Sequence, residues 1–513
     1  MQAQVLTASL FGVEAALIRV EADVAGGLPR FTIVGLPDGA VREAAERVRA
    51  AIKRGGFEWP AGRITINLAP ASLRKSGTGL DLAIAVALLG ASGVLPPRRL
   101  AGTALLGELS LSGDVRPVFG ALAVARVVAQ NDTTRLLTAA GCAREAALVP
   151  SLKVYPVASL TAAVELLRGE GEEPSPVHCG AVQLLRRSGK VDGPDLADVR
   201  GQGQARRALE VAAAGGHNLL LYGPPGSGKT MLARRLPGLL PAPTLEEALE
   251  ITQIASCIGL GSSTGLVARR PFRAPHHTLT PAALVGGGVP PRPGEISLAH
   301  GGVLFLDELP EFGRRVLDLL RQPLEERAVV LNRAGRTAVF PAHFLLVAAM
   351  NPCACGYLGD PVRECICTPH AVARYRGRIS GPLLDRIDLH VEVPRPAPMD
   401  LHDGGGGEGS EHVRSRVEEA RARQRARYAN VKTAVSAGLE GAEVRRLCRP
   451  TVAGSRLLVQ AMTRLALSAR AHDAILKVAQ TLADLEGLPQ ADTSQIAEAV
   501  AFRGLDRLPE QEV

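Results

Sequence analysis

The sequence predicts an α/β protein in three parts: a mixed α+β block, a central block on a parallel sheet, and an all-helical C-terminal block. Three observations carry this. Between about residues 191 and 398, short apolar runs alternate with helical stretches, the pattern of strands covered on both faces by helices. Inside that span the apolar run Asn218–Tyr222 leads directly into Gly223-Pro-Pro-Gly-Ser-Gly-Lys-Thr230, and Met231–Leu236 continues as helix. From Glu411 onward only helical patterns remain. They open with the Arg/Glu/Ala-rich stretch Val413–Arg427, where Glu418 or Glu419 can pair with Arg421 or Arg423.

The first part covers 1–168. Its β-rich runs are Phe31–Val34, Arg63–Asn67 and Ala104–Leu106, and its helical runs are Ala40–Arg54, Leu80–Leu89 and Ala121–Ala129. A charged, proline-containing stretch, Gly169–Pro176, opens a linker over 169–190. The central block takes 191–398. The glycine run Gly404–Gly407 marks 399–410 as a flexible surface loop, and 411–513 is the helical block. The chain has no tandem repeats, and its 513 residues suit about three domains.

Composition narrows the function classes. Hydrophobic residues make up 46% and charged residues 21%, as in a packed globular protein. Aromatics are only 3%, which argues against a nucleic-acid reader built on many stacking platforms. The net charge of +8 permits nucleic-acid binding without requiring it, and a mildly basic soluble enzyme would look the same. Met1–Val20 lacks a basic n-region and carries Glu14, unlike a secretory signal. The longest apolar run, Leu82–Leu89, is too short to span a bilayer. A cytoplasmic protein is expected, in which the eight cysteines are free thiols or metal ligands.

The octapeptide Gly223, Pro224, Pro225, Gly226, Ser227, Gly228, Lys229, Thr230 has the spelling and context of a phosphate-binding loop. Its glycines let backbone N–H groups curl around phosphate oxygens. Lys229 is expected to reach the β- and γ-phosphates, and the Thr230 hydroxyl to ligate Mg²⁺. Downstream, Val303-Leu-Phe-Leu-Asp-Glu308 reads as a buried strand delivering two acids to its C-terminal end, where ligands bind in such sheets. Asp307 is the expected Mg²⁺ partner and Glu308 the base that orients the attacking water. The loop alone says that ATP or GTP phosphates are held; Asp307 and Glu308 make hydrolysis the expected activity, with ATP and Mg²⁺ the expected cofactors.

Here a family becomes recognisable. The chain resembles AAA+ ATPases of the magnesium-chelatase-like clade, and within it the bacterial ComM/YifB group over nearly its whole length. The matching stretches are Gly35-Leu-Pro-Asp38, Asn67-Leu-Ala-Pro70, Val199-Arg-Gly-Gln202, Gly215-Gly-His-Asn-Leu219, Arg273-Ala-Pro-His-His-Thr278 and Gly294-Glu-Ile-Ser-Leu-Ala-His300. They continue with Asp307-Glu-Leu-Pro-Glu-Phe312, Ile379-Ser-Gly-Pro-Leu-Leu-Asp-Arg-Ile-Asp388 and Leu467-Ser-Ala-Arg470. The resemblance implies a sensor-1 role for Asn351, after the apolar run Phe344–Met350. It implies an arginine finger at Arg386, acting on a neighbouring subunit's γ-phosphate, and a sensor-2 role for Arg470 on a helical lid. The alternating stretch Arg327–Phe340 around Arg333-Ala-Gly-Arg336 reads as a β-hairpin. In this clade such a hairpin points into a central pore, so Arg333 and Arg336 are candidate DNA contacts, or else a solvated turn.

By the same resemblance the first block takes a Lon-protease-like fold. In Lon-type proteases a Ser–Lys dyad cleaves the substrate. Here Gly79 holds the nucleophile's place in Arg74-Lys-Ser-Gly-Thr-Gly-Leu-Asp81. Ala121-Leu-Ala-Val-Ala125, after Gly113-Asp-Val-Arg-Pro-Val-Phe-Gly120, contains no lysine. No peptidase activity is expected; Ser76, Ser72 and Thr78 are the nearby hydroxyls. Cys353-Ala-Cys355 and Cys365-Ile-Cys367 bring four thiols together in sequence, a candidate structural Zn²⁺ site or a set of free thiols. His276 and His277 are expected to shape a loop near the ATP site. The implied function is a ring motor, a hexamer acting on DNA as a branch-migration helicase in natural transformation. A chelatase subunit and a non-motor ATP switch are the alternatives.

Overall fold

The computed structural model describes residues 2–507 apart from 132, 171–173, 188–192, 334–335, 397–406, 430, 432 and 434. The N-terminal block is a seven-stranded mixed sheet. Its spine is a long antiparallel hairpin, Gln2–Phe11 with Glu14–Ala25, turned at Gly12 with φ +71°. The helix Asp81–Ala91 is buried along its whole length, which explains its apolar residues on every face. Its one acid, Asp81, is answered by Arg47, with Nε 2.6 Å from Oδ2 and Nη2 3.0 Å from Oδ1.

The central sheet is five-stranded and parallel, in the order Phe272–Arg273, Val303–Leu306, Leu345–Met350, Leu219–Tyr222, Leu389–Glu392. Its side chains alternate between two cores. Leu219, Leu221, Val303, Phe305 and Val347 face one that includes helices Gly203–Gly215 and Ser410–Arg427. Leu220, Leu304, Leu306, Leu346 and Ala348 face the other, which also takes in Val13 of the N-terminal hairpin. Burial on both faces is why these strands read as continuous apolar runs rather than alternating ones.

The C-terminal region is helical: Ser410–Arg427, Val452–Leu465, Ala469–Leu485 and Thr493–Ala501 are its principal helices. Ser468 caps the third through the Ala471 N–H, and Asp492 with Gln495 forms a capping box on the fourth.

The N-terminal block is seated on the central one. Gln253 Nε2 donates to the Val13 carbonyl at 2.6 Å, and Arg126 Nη1 to Gln253 Oε1 at 2.8 Å. Ser256 Oγ accepts from the Gly120 N–H and donates to Glu145. Within the stretch expected as linker, Ala181–Arg187 is a helix whose Ala181, Leu184 and Leu185 pack against Leu122, Leu148, Ala248 and Leu266. Most of the Gly404–Gly407 run lies outside the described residues; Gly407 donates its N–H to the Ala197 carbonyl.

Candidate functional site

The strand Leu219–Tyr222 ends in the phosphate-loop octapeptide, and the helix Lys229–Ala233 follows. A second short helix, Leu236–Leu239, is set off by Pro237, so the expected continuous helix is broken. Two glycines are required by geometry. A Cβ on Gly223 would lie 2.1 Å from the Val393 carbonyl oxygen, and Gly228 has φ +92°. A Cβ on Gly226 would meet nothing within 4 Å, and Gly226 is exposed at φ +77°.

Lys229 is buried beneath the loop. Its Nζ donates to the Gly223 carbonyl at 2.8 Å, the Pro224 carbonyl at 2.9 Å and Asn351 Oδ1 at 3.2 Å. Burial pushes its ammonium down to about 8, against the pull of Asp307. Thr230 Oγ1 donates to Asp307 Oδ2 at 2.6 Å, while Asp307 Oδ1 accepts from the Glu308 N–H at 3.0 Å. The buried Ser227 hydroxyl finds no partner among the described residues. A buried ammonium, an orphaned hydroxyl and a hydroxyl–carboxylate pair fit a nucleotide's phosphates and Mg²⁺.

Glu308 stands in the left-handed region, φ +53°, a strained conformation typical of functional positions. His277 Nδ1 lies 3.3 Å from Glu308 Oε2, and the His276 and His277 rings are 4.1 Å apart. Sequence spacing gave no sign of the His277–Glu308 contact, because the two residues arrive on different segments.

Two residues beyond Asn351 the cysteine lobe begins. Cys353 Sγ lies 3.4 Å from Cys355 Sγ and 3.7 Å from Cys365 Sγ; Cys355 and Cys365 are 3.6 Å apart. All four sulfurs, Cys367 included, fall within 4.8 Å of one another. A Zn²⁺ with four ~2.3 Å bonds in a tetrahedron sets its sulfurs about 3.8 Å apart. The lobe leans on the phosphate loop: a Cβ on Gly356 would lie 2.8 Å from Pro225 Cγ.

Arg386 and Arg470 occupy the other end of the sheet. Arg386 precedes the strand Leu389–Glu392, which runs parallel to Leu219–Tyr222, so it lies at the strands' N-terminal ends. Four strand residues, about 13 Å, separate that end from the phosphate loop. Arg470 lies in the first turn of the helix Ala469–Leu485, as expected for the helical block, but it keeps company with Arg386 rather than Lys229. Both engage Glu325: Arg386 Nη2 in a short ion pair, Arg470 Nη2 at 3.3 Å. They line a cleft of about 890 Å³ between the central and helical blocks.

The hairpin Ala328–Arg333 with Arg336–Pro341 forms as expected. Arg336 places its guanidinium carbon 3.9 Å from the Phe11 ring centroid, tying the hairpin to the N-terminal block. The Arg333 side chain lies outside the described residues. In the N-terminal block a Cβ on Gly79 would meet Leu106 at 3.2 Å. The buried Lys75 donates to the Pro70 carbonyl, Thr78 donates to Glu108, and the Ser76 N–H donates to Ser9 Oγ at 3.2 Å.

Comparison with known proteins decides the family. The competence protein ComM of Haemophilus influenzae is 44% identical to this chain, over 97% of this chain and 96% of ComM. The chain belongs to the magnesium-chelatase-like ComM/YifB family. YifB of Escherichia coli matches it at 44% identity over 98% of this chain and 97% of YifB. Protein-family models agree along the length of this ComM/YifB member. "Subunit ChlI of Mg-chelatase" matches 20–141, "Magnesium chelatase, subunit ChlI" matches 195–401, and its C-terminal companion matches 407–503. Lon protease 2 of Bacillus subtilis is 33% identical over 29% of this chain and 28% of its own. The ComM/YifB chain is thus an AAA+ ATPase by family, which implies ATP and Mg²⁺ as cofactors. Among the described residues no helix is long and apolar enough to cross a membrane.

Proposed function

We propose that this protein is a ring-forming, ATP-driven DNA motor, a branch-migration helicase serving recombination during natural transformation. The observation that carries the reading is the pairing of Arg386 with Arg470 at the end of the sheet away from Lys229. Two guanidiniums so far from their own phosphate loop are suited to a neighbour's nucleotide, which calls for a closed ring, in this reading a hexamer. Within each site Lys229 and the loop N–H groups would hold phosphates, and Thr230 and Asp307 would hold Mg²⁺. Glu308 would orient water, and Asn351 would stand beside it. Bound ATP with Mg²⁺ supplies the phosphoryl group whose transfer to water drives the motor. The Arg333–Arg336 hairpin is the proposed DNA contact, its two guanidiniums suited to phosphate oxygens.

In this reading 1–168 is a Lon-like docking domain without a catalytic dyad, joined by 169–190 to an ATPase core at 191–398. The segment 399–410 then leads to the helical block at 411–513, and the protein works in the cytoplasm. One structural Zn²⁺ at Cys353, Cys355, Cys365 and Cys367 completes the cofactors, supported by the sulfur spacing. Metal analysis of purified protein should find about one zinc per chain, and less than about 0.2 overturns the assignment.

The printed name of ComM supports the DNA reading, while the chelatase descriptions of the matching family models favour a metal-insertion subunit instead. ATPase rate with and without forked DNA separates them. Stimulation with strand displacement supports the motor. A requirement for a porphyrin-binding co-subunit, or no response to DNA, sinks it.

A further inference from the structure

The Gly215-Gly-His-Asn-Leu219 run matches the family yet carries no role in the chemistry above. It lies between the helix Gly203–Gly215 and the strand Leu219–Tyr222 that ends in the phosphate loop. Its side chains turn away from that loop toward the segment bearing Arg386. Asn218 Nδ2 donates to the Arg386 carbonyl at 2.9 Å, and Asn218 Oδ1 accepts from the Leu346 N–H at 2.9 Å. Arg503 Nη1 holds the next carbonyl, Ile387, at 2.8 Å. His217, fully buried, sets Nδ1 2.7 Å from Asp388 Oδ2 and Nε2 2.8 Å from Thr481 Oγ1.

Burial pushes the Asp388 carboxyl up, but Lys477 and His217 overcome it and hold the group at about 2. It is therefore an acceptor, and His217 Nδ1 carries the proton. No larger residue fits the start of the run: a Cβ on Gly215 would lie 2.2 Å from His217 Nε2 and 2.5 Å from Thr481 Oγ1. Three consecutive residues, Arg386, Ile387 and Asp388, are thus held by Asn218, by Arg503 and by His217, which is itself anchored on Thr481 of the helix that carries Arg470.

We infer that Asn218, together with His217 acting through Asp388, is a positioning residue for the trans-acting Arg386. This rests on the shared-site reading. The polar run locks the backbone from which the arginine reaches a neighbour, and it references that backbone to the strand serving the subunit's own phosphates. Losing the lock lets the guanidinium drift while leaving the subunit's own loop intact. A misplacement of about 1 Å at a reacting centre costs up to roughly 100-fold in rate.

The test is complementation in mixed rings. Asn218→Ala should lower kcat by about 10- to 100-fold and leave ATP affinity nearly unchanged. Mixed with Lys229→Ala, whose loop is dead but whose Arg386 is sound, it should regain activity above the sum of the two alone. Asp388→Asn, nearly isosteric, should behave likewise and guards against misfolding of the first variant. Arg386→Ala mixed with Lys229→Ala is the control for the shared site. If the control recovers and neither Asn218→Ala nor Asp388→Asn does, their damage lies in their own phosphate loop and the positioning role is wrong. If the control itself fails, the shared site falls and the inference falls with it.

Discussion

Gly356 offers a sharp test of whether the cysteine lobe shapes the nucleotide site. It has φ +87°, and a Cβ added there would lie 2.8 Å from Pro225 Cγ and 2.9 Å from Cδ. Ordinary carbon contacts begin near ~3.5 Å, so lobe and phosphate loop would have to part by somewhat under about 1 Å. Gly359 has φ +79° but nothing within 4 Å of its Cβ position. Alanine at Gly359 therefore costs only the left-handed backbone penalty, about 1–2 kcal/mol. Alanine at Gly356 adds an overpacking penalty of about 1–3 kcal/mol, because the proline ring cannot swing aside. If roughly half of that extra strain is relieved by moving Pro225, ATP affinity falls by about 0.5–1.5 kcal/mol, near tenfold at the upper end. Titration with a fluorescent ATP analogue reads this directly. Gly356→Ala should bind several-fold more weakly than Gly359→Ala and should also unfold at a lower denaturant concentration. Equal affinities would refute the claim that the lobe bears on the loop.

Other outcomes follow from the same geometry. Lys229→Ala should abolish nucleotide binding, because it removes the buried ammonium at the loop, whereas Glu308→Gln should keep binding and lose hydrolysis by about 100-fold or more, read by equilibrium binding beside steady-state rates. Arg386→Ala should likewise bind ATP and lose roughly 10³-fold in hydrolysis; normal turnover would defeat the shared-site argument. Acid should weaken the fold well before carboxylates titrate. Burial, with Arg503, pushes the His390 imidazole down to about 3, well below the usual histidine value near 6.5. Its folded pKa lies below the unfolded one, so this stability is complete above about pH 6.5 and is lost on acidification toward the folded value, at up to ~1.4 kcal/mol per pH unit. A urea midpoint unchanged between pH 7 and pH 5 would contradict it.

The readable parts of the molecule are those where chemistry and sequence are contiguous. The phosphate loop sits where its spelling puts it, and Asp307 and Glu308 fall at the end of an apolar strand. The N-terminal helices match closely: Gly39–Arg54, Asp81–Ala91 and Ala121–Ala129. What spacing could not convey are pairings made by tertiary packing. Asn218 meets the Arg386 carbonyl across 168 residues. His277 reaches Glu308 only because the sheet brings their segments side by side. Arg336 looked like a bare hairpin tip, and its stacking on Phe11 depends on how the N-terminal block is seated. The second arm of the Gln2–Ala25 hairpin does alternate, Ile18-Arg-Val-Glu-Ala-Asp-Val24, with Ile18, Val20 and Ala22 buried, so this strand signal was present in the sequence.

Glu325 deserves its consequence. One carboxylate lies against both Arg386 and Arg470. In a lone subunit that acid is an internal competitor, a built-in substitute for a phosphate oxygen, always present at the same local concentration. On the shared-site reading a neighbour's nucleotide must outbid it. On that reading a triphosphate, with its added charge and reach, would displace the acid more readily than a diphosphate would. Glu325 would then set the threshold at which a subunit distinguishes loaded from spent nucleotide next door. Removing the acid should blur that distinction and leave the arginines answering to either.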